Sequence, residues 1–380
     1  MKGATRPSRP VPAGHVVTGA TVAAGAALAA YTALRRYPPG GEKAWARTNH
    51  RGEPVTLLEG PAVTVGAVAA QVITAAVAAP RGRRLAAAQA YPEPVRPSAY
   101  PLAVAGLGGV TFGVIDDLRG SGTRRGLRGH LGALAHGEVT TGTVKLAGLA
   151  ATGLGAALLE GGEPADVAVN AGLIAGGANL LNLFDLRPGR AIKVAALTAG
   201  LIAGASALAR GTESPVPGQD GTAQASRRLA GLQAVAAPAG AALALLPADL
   251  GERAMLGDAG ANALGAMLGA AAAQTLPRSA RIGLLTGIVA LTAASEKVSF
   301  TRVIAATPAL RWLDMLGRRP APPPVPGPAS PVPASPAAAS PVSAGPAPAA
   351  GPAALSWTRR LAWWIRRRRP GRHRRTKAVT

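Results

Sequence analysis

The chain has 380 residues, and its 41 Lys and Arg outnumber its 18 Asp and Glu, giving a net charge of +23. It contains no cysteine, which excludes disulfides, thiolate metal sites and cysteine nucleophiles. Mean hydropathy is positive, and the apolar residues fall in blocks of about 17 to 20, the length that a helix needs to cross a bilayer. The composition therefore excludes an ordinary soluble protein and predicts a polytopic membrane protein.

These apolar blocks predict an all-α bundle of about nine to ten transmembrane helices in residues 14–317, after a basic lead of residues 1–13. The blocks are rich in Ala and Gly, which let helix backbones approach closely in lipid, so we expect tight packing. A cleaved signal peptide is the alternative for the first block, but the many later blocks favour a retained anchor. The blocks run from about 16 to 34, 61 to 79, 98 to 115, 143 to 159, 167 to 184, 191 to 209, 229 to 246, 259 to 275 and 282 to 294.

The C-terminal part of the chain has a different composition. Residues 318–356 consist mainly of Pro, Ala and Ser, which cannot bury a core, so we expect a disordered linker. Residues 357–380 combine Trp with a dense run of Arg. Such a segment suits the surface of an anionic membrane, and nucleic-acid binding is the competing interpretation of its charge. On a membrane-tethered tail we favour lipid.

The loops between the blocks indicate the orientation in the membrane. One set of alternating loops carries more Lys and Arg than the other, and the basic tail falls on its side if the number of spans is odd. Short cytoplasmic loops are enriched in these cations. We therefore expect a multi-pass plasma-membrane protein whose C-terminal tail is cytoplasmic, together with residues 35–60, 116–142, 185–193 and 247–258.

Two adjacent carboxylates, Asp116 and Asp117, close the third block in the stretch GVIDDLRG. The C-terminus of a helix carries partial negative charge, and neighbouring carboxylates also repel each other. A divalent metal or the arginines that follow would compensate this charge. A solvated acid pair at the membrane interface is the plain alternative.

Further polar residues end the fifth block and precede the eighth on the same side. Asn179, Asn182 and Asp185 recur at intervals of three, so they lie close together at one helix end. Ordinary capping and turn chemistry is the alternative for this group. Asp258 directly precedes the eighth block in the stretch MLGDAGANALGA, where a simple helix N-cap is the alternative.

A basic loop lies on this side as well, with the sequence RRGLRGHLGAL. It supplies Arg128 and His130 as candidate phosphate contacts, and for the histidine a solvated loop position is the alternative. Carboxylates beside arginines at a membrane surface suit Mg²⁺ and a polyphosphate, because Mg²⁺ binds through one or two carboxylates, waters and substrate phosphates. The residues therefore indicate metal-assisted phosphate chemistry.

The order of these motifs resembles that of the polyprenyl-phosphate N-acetylhexosamine-1-phosphate transferases. That family, which includes the phospho-N-acetylmuramoyl-pentapeptide translocase and N-acetylglucosamine-1-phosphate transferases, has an Asp pair, an N-x-x-N-x-x-D segment and a G-D-x-G sequence in this order. The resemblance covers about residues 15–317. It implies transfer of a sugar-1-phosphate from a UDP-sugar to a membrane polyprenyl phosphate, with Mg²⁺ as cofactor and UMP as product, in cell-envelope glycan synthesis.

The resemblance also implies roles for individual carboxylates. Asp116 and Asp117 match the aspartate pair proposed to activate or position the lipid phosphate. Asp258 matches the aspartate expected to hold the metal, and we expect Asp117 to be its neighbouring ligand. These three residues are the catalytic candidates.

Nucleotide recognition is implied for a second group of residues. Asn182 and Asp185 match positions at the uridine and nucleotide site, and Asn179 lies beside them. Arg125 falls where the family often has a phosphate-facing lysine. An arginine there keeps the charge but changes the geometry of its hydrogen bonds.

The chain departs from the family pattern at Pro188, which replaces a second aspartate, and at Ala261, which replaces a serine. The histidine-rich segment of the pentapeptide-specific enzymes is absent from the sequence, so the sugar is not fixed. The alternative function is a catalytically inactive member that binds or scaffolds partners in envelope assembly. A homodimer is compatible with either function.

Overall fold

The computed structural model describes residues 13–88, 99–119, 129, 132–133, 135–209 and 221–320. The predicted lipid-surface tail and nearly all of the linker lie outside these residues, so both stay predictions.

The described chain is helical apart from one small antiparallel hairpin, and this confirms the all-α prediction. The elements in chain order are α1 (Ala13–Arg36), α2 (Glu42–Trp45), β1 (Ala46–Thr48), β2 (Pro54–Thr56), α3 (Glu59–Ala88), α4 (Ala99–Arg119), α5 (Thr141–Glu160), α6 (Pro164–Phe184), α7 (Arg190–Ala209), α8 (Gly221–Leu250), α9 (Gly257–Thr275), α10 (Arg278–Ser295), α11 (Phe300–Ala306) and α12 (Pro308–Met315).

Six of the described helices are long and apolar enough to cross a membrane, namely α1, α4, α5, α6, α7 and α8. The number rises to seven if α10 and α11, which are bent by 96° at a short break, form one span. The prediction of nine to ten spans is therefore not confirmed. Helices α3 and α9, which we also predicted to span, carry Glu, Gln, Asp and Asn among small Ala and Gly residues, and this lowers their hydropathy.

Helix α9 lies between α4 and α6 and packs extensively against both. All of its residues from Ala259 to Ala273 are buried. Gly265 of α9 meets Gly177 of α6 so closely that a Cβ on either glycine would overlap the opposite backbone. Small residues thus produce the tight packing that the sequence predicts, and they fix the depth and rotation of α9 in the bundle.

The hairpin of β1 and β2 holds the loop that leads into α9. The N–H of Met255 donates to the carbonyl of Thr56 at 3.0 Å, and Thr56 also forms a single parallel bridge with Ala254. These contacts fix the residues directly before Gly257. They also place Arg47 of β1 at the end of the bundle where α9 begins.

Candidate active site

An aspartate from α4 binds the N-terminus of α9. Asp117 accepts the N–H of Asp258 on Oδ1 at 3.1 Å and the N–H of Ala259 on Oδ2 at 2.9 Å. The first N–H groups of a helix lack intrahelical partners and attract anions, so Asp117 caps a neighbouring helix. Gly257 permits this approach, because its φ is 63° and a Cβ there would lie 3.0 Å from Asp117 Oδ2.

Asp185, at the end of α6, lies beside the backbone N–H of Gly257. The start of α9 is therefore approached by two aspartates from two other helices. Desolvation, followed by the negative charges of Asp249 and Asp258, raises the pKa of Asp185 well above its ordinary value. The three motifs predicted to share one side of the membrane bundle thus meet at a single helix N-terminus.

Lys145 of α5 contributes a cation to this cluster that the sequence analysis missed. Its Nζ lies 2.9 Å from Asp116 Oδ2 and 2.6 Å from Asp258 Oδ2, and its side chain is only 11% exposed. One ammonium group therefore joins the carboxylates of α4 and α9. The signal in the sequence is a lone lysine in an apolar block, because an ionisable side chain inside a membrane segment is costly and needs a partner.

Asp258 lies in the first turn of α9, where the helix dipole favours negative charge. The simple N-cap interpretation does not hold, because the N-cap residue is Leu256 and Asp117 supplies the capping carboxylate. The side chain of Asp258 is 26% exposed and contacts Lys145. Its carboxylate is therefore partly accessible to solvent and does not cap its own helix.

Positive charge also reaches the C-terminus of α4. Arg47 donates from Nη2 to the backbone carbonyl of Asp117, and Nη1 donates to the carbonyls of Ala44 and Ala46. A cation at a helix C-terminus is favourable because it balances the dipole. In the described part of the chain, Lys145 and Arg47 thus supply the compensating charge that the adjacent aspartates require.

Two further acids lie near the start of α9 and were not predicted as site residues. Glu59, in the first turn of α3, is 0% exposed, and Asp249, near the end of α8, is 2% exposed. Both carboxylate oxygens of Glu59, and Oδ2 of Asp249, lack a hydrogen-bond partner among the described residues. The site end of this strongly basic chain is therefore locally acidic.

Asp116 and Asp258 suit Mg²⁺ by their chemistry, because each directs one carboxylate oxygen at the same point, the ammonium of Lys145. Within the described residues, no group of three or more Asp, Glu, His or Cys side chains is spaced to hold a metal by itself. Water and phosphate oxygens would complete the set of ligands, as is common for Mg²⁺. The predicted metal role of Asp117 stays a prediction, since both of its oxygens bind N–H groups.

The remaining predicted site residues divide into two groups. Asn179 and Asn182 are partly exposed on the last turns of α6, next to Asp185. Arg125, Arg128 and His130 lie outside the described residues, so the predicted phosphate contacts of the basic loop stay predictions.

No protein-family model matches the chain, and no curated protein matches it. The resemblance of its motifs to the sugar-phosphate transferases therefore rests on the sequence alone.

Proposed function

We propose that this chain is a Mg²⁺-dependent membrane transferase that moves an N-acetylhexosamine 1-phosphate from a UDP-sugar to a polyprenyl phosphate. UMP is the second product, and cell-envelope glycan synthesis at the plasma membrane is the setting. The observation that carries the proposal is the meeting of Asp116, Asp117, Asp185 and Asp258 with Lys145 at one end of an apolar helix bundle.

The reaction joins a phosphate oxygen of the lipid to the β-phosphorus of the UDP-sugar. The bond from that phosphorus to the bridging oxygen breaks, and this oxygen leaves with UMP. Because anionic phosphates must approach each other, catalysis of such a transfer consists mainly of positioning and charge stabilisation. Mg²⁺ supplies Lewis-acid neutralisation of the diphosphate when it is bound.

We assign different roles to the two adjacent aspartates on the basis of their contacts. Asp117 is engaged by the N-terminus of α9, so we assign it to fixing Asp258 in place. Asp116 contacts Lys145 through one oxygen, and we assign it to the lipid phosphate and, with Asp258, to the metal. Lys145 keeps these two carboxylates together and provides positive charge beside the phosphates.

The partly exposed amides of Asn179 and Asn182 are the candidates for the uracil ring. Each amide offers both donors and an acceptor, which a pyrimidine edge requires. They lie within two turns of Asp185 at the end of α6. Nucleotide and phosphate chemistry would therefore occupy neighbouring parts of one surface.

The test is an assay of UMP release by the purified full-length chain with polyprenyl phosphate, Mg²⁺ and a panel of UDP-sugars. We expect UMP release that requires both lipid and metal, and the UDP-sugar that supports it identifies the sugar. In Asp258→Asn the rate of release should fall at least about 100-fold. The matched control is Glu163→Gln, which removes an exposed carboxylate at the opposite end of α6 and should leave the rate unchanged.

Two results would contradict the proposal. Release that persists undiminished in Asp258→Asn would remove the assigned role of the carboxylate cluster. Absence of release across the panel, with UDP-sugar binding retained, would instead favour the inactive binding protein.

A further inference from the structure

The chain turns sharply after α10. Helix α11 is bent by 96° from α10 at a short break, so the two axes are almost perpendicular. If α10 crosses the bilayer, a helix at this angle runs along the membrane surface instead of through it. Helix α12 follows α11 directly, with only Thr307 between them.

The inner side of α12 is fixed to the start of α7. Arg190 binds both carboxylate oxygens of Asp314, at 2.8 and 3.1 Å, and Arg318 donates to the same carboxylate at 2.9 Å. Lys193 donates to the carbonyls of Leu313 and Asp314, where the orphan carbonyls at the end of the helix need a donor. We call this group of Arg190, Lys193, Asp314 and Arg318 the Asp314 latch.

The latch places α12 at the same end of the bundle as the carboxylate cluster. Arg190 begins the helix that follows the loop after Asp185, and Arg318 donates to the carbonyl of Pro188 within this loop. Phe300, at the start of α11, stacks on Phe184, at the end of α6, with ring centroids 5.0 Å apart. Both short helices are therefore docked on the segment that carries Asp185.

The outer side of α11 and α12 is apolar and exposed. Trp312 is 67% exposed, Met315 47% and Leu316 51%. A groove of about 590 Å³ opens between the helices, lined by Ala305, Ala306, Pro308, Arg311, Trp312 and Met315. Large apolar side chains grouped around a groove are typical of an interaction surface and not of one that faces water.

The positive charges around this groove favour an anionic binding partner over a basic one. Lys297, Arg302 and Arg311 are exposed, and the sequence from residue 297 to 313 contains no Asp or Glu. A second copy of this surface would bring like charges together, and the Arg-rich residues 357–380 carry the same sign. An anionic lipid surface supplies both an apolar phase for Trp312 and Met315 and negative headgroups for the arginines.

We propose that the outer face of α11 and α12 binds the anionic lipid surface of the leaflet next to the carboxylate cluster. The apolar side chains enter the boundary between headgroups and acyl chains, and Arg302 and Arg311 contact lipid phosphates. The Asp314 latch on the inner face then connects this lipid contact to the loop that carries Asp185. The inference concerns only these surfaces and does not depend on the proposed reaction.

The absence of cysteine from the chain allows a direct test. Met315→Cys in the full-length protein carries a single spin label, and its accessibility to oxygen and to a water-soluble nickel complex reports lipid or water. Trp312→Cys is a second label position, and Glu42→Cys, exposed on α2, is the matched control. Proteoliposomes contain either phosphatidylcholine alone or an equimolar mixture with phosphatidylglycerol.

At Met315→Cys and Trp312→Cys we expect oxygen accessibility to exceed nickel accessibility, and the ratio to rise roughly twofold or more with phosphatidylglycerol. Adding Arg302→Glu and Arg311→Glu should abolish this rise, while Glu42→Cys stays water-accessible in both lipids. A label that is water-accessible in both lipids, or shielded from both reagents by a protein surface, would overturn the proposal. Lipid accessibility that does not respond to phosphatidylglycerol would overturn its anionic part.

Discussion

Two charge clusters at the same end of the bundle use opposite ratios of acid to base. Around Lys145, one ammonium serves two carboxylates, those of Asp116 and Asp258. In the Asp314 latch, two arginines share one carboxylate, while Lys193 binds backbone carbonyls. The first cluster keeps surplus negative charge and the second surplus positive charge.

This difference in charge ratio distinguishes the candidate site around Lys145 from the structural contact at Asp314. In the latch, the carboxylate of Asp314 receives two hydrogen bonds from Arg190 and one from Arg318. Burial opposes ionisation, but the Arg190 contacts prevail and hold the pKa of Asp314 below its ordinary value. The Lys145 cluster, by contrast, has carboxylate oxygens to spare for a cation or a phosphate-bound ligand. Removing charges from each cluster tests this contrast.

The largest expected effect is that of Lys145→Met. Without the ammonium, two poorly exposed carboxylates face each other unpaired, which should cost about 3 kcal/mol of unfolding free energy and abolish turnover. Thermal unfolding in detergent measures the first effect, and the UMP assay measures the second. Lys43→Met removes an exposed lysine and is the matched control. If Lys145→Met unfolds at the wild-type temperature, the ammonium of Lys145 does not stabilise the two carboxylates, and the prediction is wrong.

In the latch, Asp314→Asn should cost about 2 kcal/mol, because Arg190, which is 4% exposed, loses its charged partner but keeps its hydrogen bond to Thr301. Glu53→Gln is the matched control, since Glu53 pairs with Arg319 in an exposed ion pair and should give no measurable change. Unfolding temperatures of the two variants, measured under the same conditions, test whether Asp314→Asn lowers stability more than Glu53→Gln does. Equal shifts would mean that the latch is an ordinary surface contact.

Gly257→Ala probes the meeting of motifs at the start of α9. A side chain at this left-handed φ is strained, and its Cβ would lie 2.8 Å from Leu57 Cδ2 and 3.0 Å from Asp117 Oδ2. We expect a loss of about 1–3 kcal/mol and a marked loss of activity. Gly52→Ala, also at positive φ but with no atom within 4 Å, is the control for backbone strain. Equal losses in both variants would exclude a role for the contact with Asp117.

The smallest effect is expected for Asp185→Asn and depends on pH. The folded state raises the pKa of Asp185, so its charge destabilises the protein increasingly as the pH rises above the ordinary pKa of 3.8. The asparagine variant should therefore unfold at a higher temperature than the wild type at neutral pH, with the difference vanishing in acid. Unfolding temperatures across a pH series measure this. A variant that is less stable at neutral pH would contradict the sign.

Much of the fold follows from pattern, because helix length and small-residue content are local properties of the sequence. The predicted apolar blocks agree with the observed bounds of α4 to α7 within about four residues, whereas α8 begins eight residues before its predicted block. The predicted number of spans is not confirmed, because α9 owes its position to contacts with α4 and α6 and not to strong hydrophobicity. Pattern cannot distinguish a helix that faces lipid from one that faces other helices.

The candidate site was predictable where acids end or begin helices, as Asp116, Asp117, Asp185 and Asp258 do. Lys145 was missed because its partners lie on other helices, and no spacing along the chain reveals them. Glu59 and Asp249 were missed for the same reason, because only the three-dimensional packing shows how deeply they are buried. A lone charge in an apolar stretch is therefore a useful signal even when its partner is unknown.

The glycine contacts of α9 have a mechanical consequence. A helix whose backbone touches the backbone of α6 at Gly177 and Gly265 cannot slide or rotate without steric overlap. Asp258 is therefore carried on a helix whose position is fixed by backbone contact with its neighbour. The position of the Asp258 carboxylate therefore depends on a glycine contact two turns further along α9, and not only on the groups that touch the carboxylate itself.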